Sequence, residues 1–198
     1  MANMRSIRLV LAVLALPAAL FAAPSPSDSH ECVAVVEIPA GSNVKYETDP
    51  ATGRIFVDRF LSTAMVYPAN YGTIAGTLAG DGDELDVLVL TRVPIHPGAS
   101  IRVRAIGVLS MIDGGESDEK VLAVPVDAVD ATYREIQDIG DVSSAERERI
   151  VHFFRTYKDL PAGGKTVEVG EWRGAAEARE LVYKAKAARG TAASKAER

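Results

Sequence analysis

Asp81-Gly82-Asp83-Glu84-Leu85-Asp86-Val87-Leu88-Val89-Leu90 packs four acids into a turn and follows them with an aliphatic run. The run is short, branched and bounded by turn residues, which is the pattern of a buried strand. Carboxylates crowded at the mouth of such a strand repel one another, so something positive must sit among them. Hard oxygen donors suit Mg²⁺, Mn²⁺ or Ca²⁺. On a straight strand Asp81 and Asp83 share a face and Asp86 takes the other. For Asp81 and Asp86 to bind one ion, the chain must bend near Gly82, and glycine permits that bend. The competing reading is a solvated acidic turn. It is weaker here because Asp86 lies inside the apolar run, where an unpaired charge is costly. An EF-hand does not fit. Counted from Asp81, its sixth and twelfth positions are Asp86 and Arg92 rather than Gly and an acid.

Working outward, Cys32 to Ile38 alternates weakly and reads as a first strand ending at Pro39-Ala40-Gly41. Val44 to Thr48 and Arg54 to Phe60 read as a hairpin, with Pro50 and Gly53 in its turn. Ser62 to Ile74 looks irregular. After the acidic turn and its strand, His96-Pro97-Gly98 marks a turn, Ile101 to Leu109 a strand, Asp113 to Lys120 a polar loop and Val121 to Val126 a strand. Then the period changes. Ser143-Ser144-Ala145-Glu146 offers a capping box, and Ile150, Val151, Phe153, Phe154 and Tyr157 recur at helical spacing. Pro161, Gly163 and Gly164 close that helix. Thr166 to Val169 reads as a short strand and Ala175 to Ala188 as a second helix, with a frayed tail past Gly190. Strands first and helices later give an α+β domain built on a small β-barrel.

The chain has 198 residues, enough for one domain with a real core, and a formal net charge of −5. With no strongly basic block, it does not read as a general nucleic-acid binder. Residues 1–23 form a separate unit. Arg5 and Arg8 precede an apolar stretch from Leu9 to Phe21, and Ala22-Ala23 follow, which is the layout of a secretory signal. The stretch is too short for a comfortable membrane span. Residues 24–31 read as a Pro- and Ser-rich linker, and 32–198 as the folded domain. The expected location is periplasmic or secreted, or cytoplasmic if the leader is not used. Cys32 is the sole cysteine, so an exported chain has no internal disulfide and the thiol is expected to be buried and inert.

Asp113-Gly114-Gly115-Glu116-Ser117-Asp118-Glu119-Lys120 is a second acidic turn between two strands. Together with the first it completes a candidate site for several metals. Lys45, Arg59, Lys120 and Lys158 are the candidate cations, with Tyr67, Tyr71 and Tyr157 close by in sequence. Each taken alone is more often a surface charge or a half-buried ring. As a set they suggest a pocket where metals and cations neutralise an oxygen-rich anion such as a polyphosphate.

Glu37-Ile38-Pro39-Ala40, Lys45-Tyr46-Glu47, Phe56-Val57-Asp58-Arg59-Phe60, Tyr67-Pro68-Ala69-Asn70-Tyr71-Gly72 and the Asp81–Asp86 turn occur in that order. Together they closely resemble the soluble family I inorganic pyrophosphatases. Asp113, Asp118-Glu119-Lys120, His152-Phe153-Phe154 and Tyr157-Lys158-Asp159 extend the match, which runs from Val33 to about Trp172. The resemblance implies a five-stranded OB-like barrel with flanking C-terminal helices, and Mg²⁺-dependent hydrolysis of pyrophosphate to two phosphates. It further implies that Asp81, Asp86 and Asp118 bind an activating ion, with Asp86 bridging to a second. Asp113 and Asp118 would hold a third, and Glu47 a further one through water. Lys45, Arg59, Tyr71, Tyr157 and Lys158 would hold phosphoryl oxygens. Asp83 would act as base or orienting partner of the attacking water, with Glu37, Tyr67 and Lys120 in support. A homo-oligomer, as large as a hexamer, is the implied assembly.

Two positions depart from the pattern. Many bacterial relatives carry an acid where this chain has Gly114, and hexameric ones often carry a second His where it has Thr156. The alternatives are another metal-dependent phosphatase, a nucleotide pyrophosphohydrolase, or an OB-type binding module. The last needs a basic groove with stacking aromatics, whereas the best cluster here is acidic.

Overall fold

The computed structural model describes residues 30–49, 51–163 and 166–196. The expected leader and most of the linker lie outside the described residues. Strands β1 (Glu31–Ile38), β4 (Asn70–Ile74), β5 (Asp86–Val89), β6 (Ser100–Asp113) and β8 (Lys120–Pro125) form the barrel. β1 pairs with both β4 and β6, and β4–β5, β5–β8 and β8–β6 complete the ring. The β5–β8 pair is parallel, and the other pairs of the ring are antiparallel. This is the five-stranded closed barrel expected.

The two faces of the wall explain why β5 is apolar throughout. Val87, Val89, Val121 and Ala123 pack with Ala178, Val182 and Ala185 of helix α2 (Ala175–Ala196). The alternate residues Leu88, Leu122 and Val124 pack with Ile150, Phe153 and Phe154 of helix α1 (Ser144–Thr156) and with Tyr157 just past its end. A strand covered on both faces loses the usual alternation. Helix α1 starts where its cap predicts, with Ser143 Oγ accepting from Glu146 N at 3.2 Å. Glu146 itself turns to Arg149.

β2 (Val44–Thr48) and β3 (Ile55–Phe60) form a separate hairpin. Beyond the ring, β6 continues and pairs with β7 (Glu116–Ser117) and β9 (Val167–Arg173). Register shifts at Ala105/Gly107 and Leu109/Met111 bend this long strand so that it serves successive partners.

Four sequence expectations need correction. The stretch expected to be irregular ends in β4, because Gly72 lets that strand press onto β1. A Cβ there would meet Val35 O at 1.9 Å. The expected strand to Leu109 runs to Asp113 because β9 extends its ladder. The expected polar loop Asp113–Lys120 is largely a tight hairpin, and Lys120 opens β8 rather than facing water. The second helix passes through Gly190 to Ala196, carried by the helix formers Ala, Lys and Arg.

Candidate active site

Parallel neighbours β5 and β8 open with Asp86 and Lys120, and the side chains meet. Lys120, only 2% exposed, pairs its ammonium with Asp86 and, at 2.5 Å, with Asp118. Its Nζ also lies 5.8 Å from the Tyr71 ring centre and 5.9 Å from that of Phe154. Burial opposes charge on Lys120, but the carboxylates of Asp86 and Asp118 outweigh it and hold its pKa above the ordinary value. Burial likewise pushes the Asp86 carboxyl up, against the pull of Lys120 and the Tyr71 hydroxyl.

The acidic turn bends at Gly82, whose φ of +98° lies in glycine's territory. Asp83 N donates to Asp81 Oδ1 at 3.1 Å and Gly82 N to Ala79 O at 3.2 Å. The bend brings Asp81, Asp86 and Asp118 to the wall of one cavity of about 310 Å³, which Glu84, Glu119 and Lys184 also line. Asp83 is exposed and is not part of that wall. Asp113, at the end of β6, pairs with Lys158 through Oδ2, while its Oδ1 is buried with no partner.

Aromatic rings join these pieces. Tyr67 lies 5.5 Å from Tyr71 and 4.8 Å from Phe153, and Phe153 stacks on Tyr157 at 4.9 Å. Lys158 Nζ sits 5.3 Å from the Tyr157 ring centre. Burial pushes the hydroxyls of Tyr67, Tyr71 and Tyr157 up, so all three are donors at neutral pH. Tyr67 feels the charges of Arg59, Asp86, Glu47 and Asp58, and Tyr157 those of Asp113, Asp118 and Arg59. The hairpin, the two acidic turns and the end of α1 therefore share one rim. Glu37, 9% exposed, accepts from Thr48 N at 3.1 Å and ties β1 to the hairpin; burial pushes its carboxyl up.

The hairpin cations are paired within the hairpin. Lys45 meets Glu47 and, at 3.4 Å, Asp58; Arg59 meets Asp58 at 2.5 Å. Asp58 was missed from sequence, although its place beside Arg59 and across the ladder from β2 was the available signal.

Among the described residues no three acidic, His or Cys side chains already surround one point in ligating geometry. The donor set nevertheless fits a divalent ion. Five carboxylates, Asp81, Glu84, Asp86, Asp118 and Glu119, line one cavity, and a buried oxygen of Asp113 lacks a partner.

A barrel with a rim of carboxylates, lysines and tyrosines defines a class: a protein built to hold divalent ions beside a highly charged oxyanion. A family model described as inorganic pyrophosphatase matches residues 34–189. The inorganic pyrophosphatase of Xanthomonas axonopodis pv. citri is 53% identical over 154 residues, covering 77% of this chain and 86% of that one. That of Aquifex pyrophilus is 49% identical over 161 residues, covering 81% and 90%. The solved structure of an inorganic phosphatase from Anaplasma phagocytophilum superimposes with a TM-score of 0.80 at 48% identity, covering 84% of this chain and 97% of that one. The inorganic pyrophosphatase structure from Thermus thermophilus gives 0.79 at 43% identity, covering 87% and 99%. The chain belongs to the inorganic pyrophosphatase family, and membership implies a divalent metal cofactor.

Proposed function

We propose that this protein hydrolyses inorganic pyrophosphate to two phosphates with Mg²⁺. The observation that carries the reading is the gathering of Asp81, Asp86 and Asp118 around one cavity, with Lys120 buried between the last two. Asp81, Asp86 and Asp118 would hold one ion, Asp86 also a second, Asp113 and Asp118 another, and Glu47 a further one through water. Bound there, divalent ions lower the pKa of water and absorb charge on the phosphoryl oxygens.

The chain's own groups do the rest. Lys45, Arg59 and Lys158, now paired with carboxylates, would supply positive charge to the phosphoryl oxygens. The Tyr71 and Tyr157 hydroxyls donate to the same oxygens without adding charge. Asp83, exposed at the tip of the turn and off the cavity wall, would act as base or orienting partner of the attacking water. Lys120 holds Asp86 and Asp118 together against their repulsion, and Tyr67 packs between Tyr71 and Phe153 to set the ring wall. The decisive assay is phosphate release from pyrophosphate with and without Mg²⁺, run beside ATP and a phosphate monoester. Equal turnover of ATP or the monoester would assign the site to a broader phosphatase or a nucleotide pyrophosphohydrolase.

Residues 1–23 are read as a secretory leader, on their charged, apolar and small-residue order, so the working protein is exported. Among the described residues no helix is long and apolar enough to cross a membrane. A homo-oligomer is the expected assembly. Phe56, Val57 and Phe60 are more than half exposed on the hairpin, apolar surface of the kind that association covers. Thr156 lies on α1 where a hexamer-forming relative often has His, and its hydroxyl is turned back onto His152 O at 2.8 Å. Sedimentation of the purified chain measures the assembly.

A further inference from the structure

Glu84 belongs to the acidic turn, yet its carboxylate already has partners. Oε2 accepts from Thr73 Oγ1 at 2.9 Å and Oε1 from Gly76 N at 2.8 Å. Thr73 stands opposite Asp86 in the β4–β5 ladder, and Gly76 holds a φ of +75° in the turn that follows β4. One half-buried side chain therefore fastens the acidic turn both to the residue facing Asp86 and to the next bend of the chain. Neighbouring bonds tighten the same segment. Leu85 N donates to Thr77 Oγ1 at 2.9 Å, Thr77 Oγ1 to Ile74 O at 2.6 Å, and Ala79 N to Asp83 O at 2.7 Å.

We propose that Glu84 is a positioning residue that sets the spacing of Asp81 and Asp86 for a shared divalent ion. The proposal rests on the reading that those two aspartates hold such an ion. A loop with glycines at positions 80 and 82 loses much conformational freedom when two of its carboxylates must converge. The Glu84 clamp removes part of that freedom before the ion arrives, as supporting hydrogen bonds do around other metal ligands. A second cause would push metal affinity the same way. Glu84 lines the cavity, so its charge alone would attract a cation. The two causes separate experimentally because Thr73 contributes to the clamp and carries no charge.

The experiment is calorimetric binding of Mg²⁺, and of Mn²⁺ as a second probe, to the substrate-free full chain. Circular dichroism checks that each variant folds. Glu84→Ala and Thr73→Val should each weaken binding about tenfold, the scale of lost supporting contacts around metal ligands. The double variant should be little weaker than Glu84→Ala, because Thr73→Val removes a bond that Glu84→Ala has already removed. Glu84→Gln, whose amide still bridges Thr73 and Gly76, should stay within about threefold of the parent. Activity at saturating Mg²⁺ should return in all of them. If Glu84→Ala does not fold, Thr73→Val carries the test, since it preserves side-chain shape. Loss in Glu84→Gln equal to that in Glu84→Ala, with Thr73→Val unchanged, overturns positioning in favour of charge. Parent-like binding in every Glu84 and Thr73 variant, with loss in Asp86→Asn, overturns the proposal and leaves the metal reading intact. Parent-like binding in Asp86→Asn removes the metal reading itself, and the Glu84 proposal with it.

Discussion

Asp113 and Glu116 stand opposite each other across the turn made by Gly114 and Gly115. Both glycines have positive φ, +61° and +91°, the requirement of a two-residue hairpin turn. Opposed residues on paired strands share a face, so the Glu116 carboxylate lies on the side of Asp113. An acid placed at position 114 would have to adopt a left-handed backbone. Gly114→Glu is therefore expected to cost roughly 1–2 kcal/mol, read by urea unfolding. Glu116→Ala should raise the Mg²⁺ needed for half-maximal activity by about tenfold. An unchanged Mg²⁺ dependence in Glu116→Ala would show that this turn does not tune the metal.

Lys120 separates structural from catalytic roles of charge. Lys120→Met leaves Asp86 and Asp118 facing each other without their shared cation. Without divalent ions this should cost about 3 kcal/mol, as for other broken buried pairs. Added Mg²⁺ should recover part of that loss. Melting curves in chelator and in Mg²⁺ should thus differ more for the variant than for the parent, and equal differences would refute the argument.

Asp86→Asn keeps the shape of the side chain and removes its charge. Turnover of pyrophosphate should fall at least about a hundredfold, the scale for groups central to transition-state stabilisation. Near-normal turnover in a folded variant would take Asp86 out of the mechanism.

Asp138 couples pH to the seating of α2. Its carboxylate accepts from Ala175 N at 2.7 Å and from Gly140 N at 3.2 Å. The Ala175 amide and then the other amides hold its pKa below the ordinary value. A carboxyl with a depressed folded pKa contributes stability above its unfolded pKa of about 3.9, and loses it as pH falls through the lower folded value. Asp138→Ala should cost about 1 kcal/mol at neutral pH and flatten the acid limb of the stability profile. A parallel downward shift at all pH values would contradict this assignment.

Export makes a chemical prediction. Protein recovered from the native host should begin near Ala23 or Pro24, as read by N-terminal sequencing or intact mass. An intact Met1 on cytoplasmic protein would refute the leader.

Much of the barrel is legible in sequence because its strands are short branched runs between turn residues. The bend at Gly82 follows from requiring Asp81 and Asp86 to meet. What stays hidden is decided by neighbours distant in sequence. Gly72 reads as a strand breaker, yet it is there because Val35 crosses too close for any side chain. Lys120 reads as the end of a polar loop, and only the pairing of β5 with β8 shows it buried against an aspartate 34 residues away. The split role of β6 is equally invisible, since a strand with four partners carries no distinct composition.

The parallel alignment of β5 and β8 has a topological consequence. Strands running the same way start at the same end, so whatever residue precedes each apolar run arrives on the same rim. Had β8 run the other way, Lys120 and Asp118 would have been delivered to the far mouth of the barrel. The direction of one strand thus serves as an address, delivering two acidic turns from separate parts of the chain to one place.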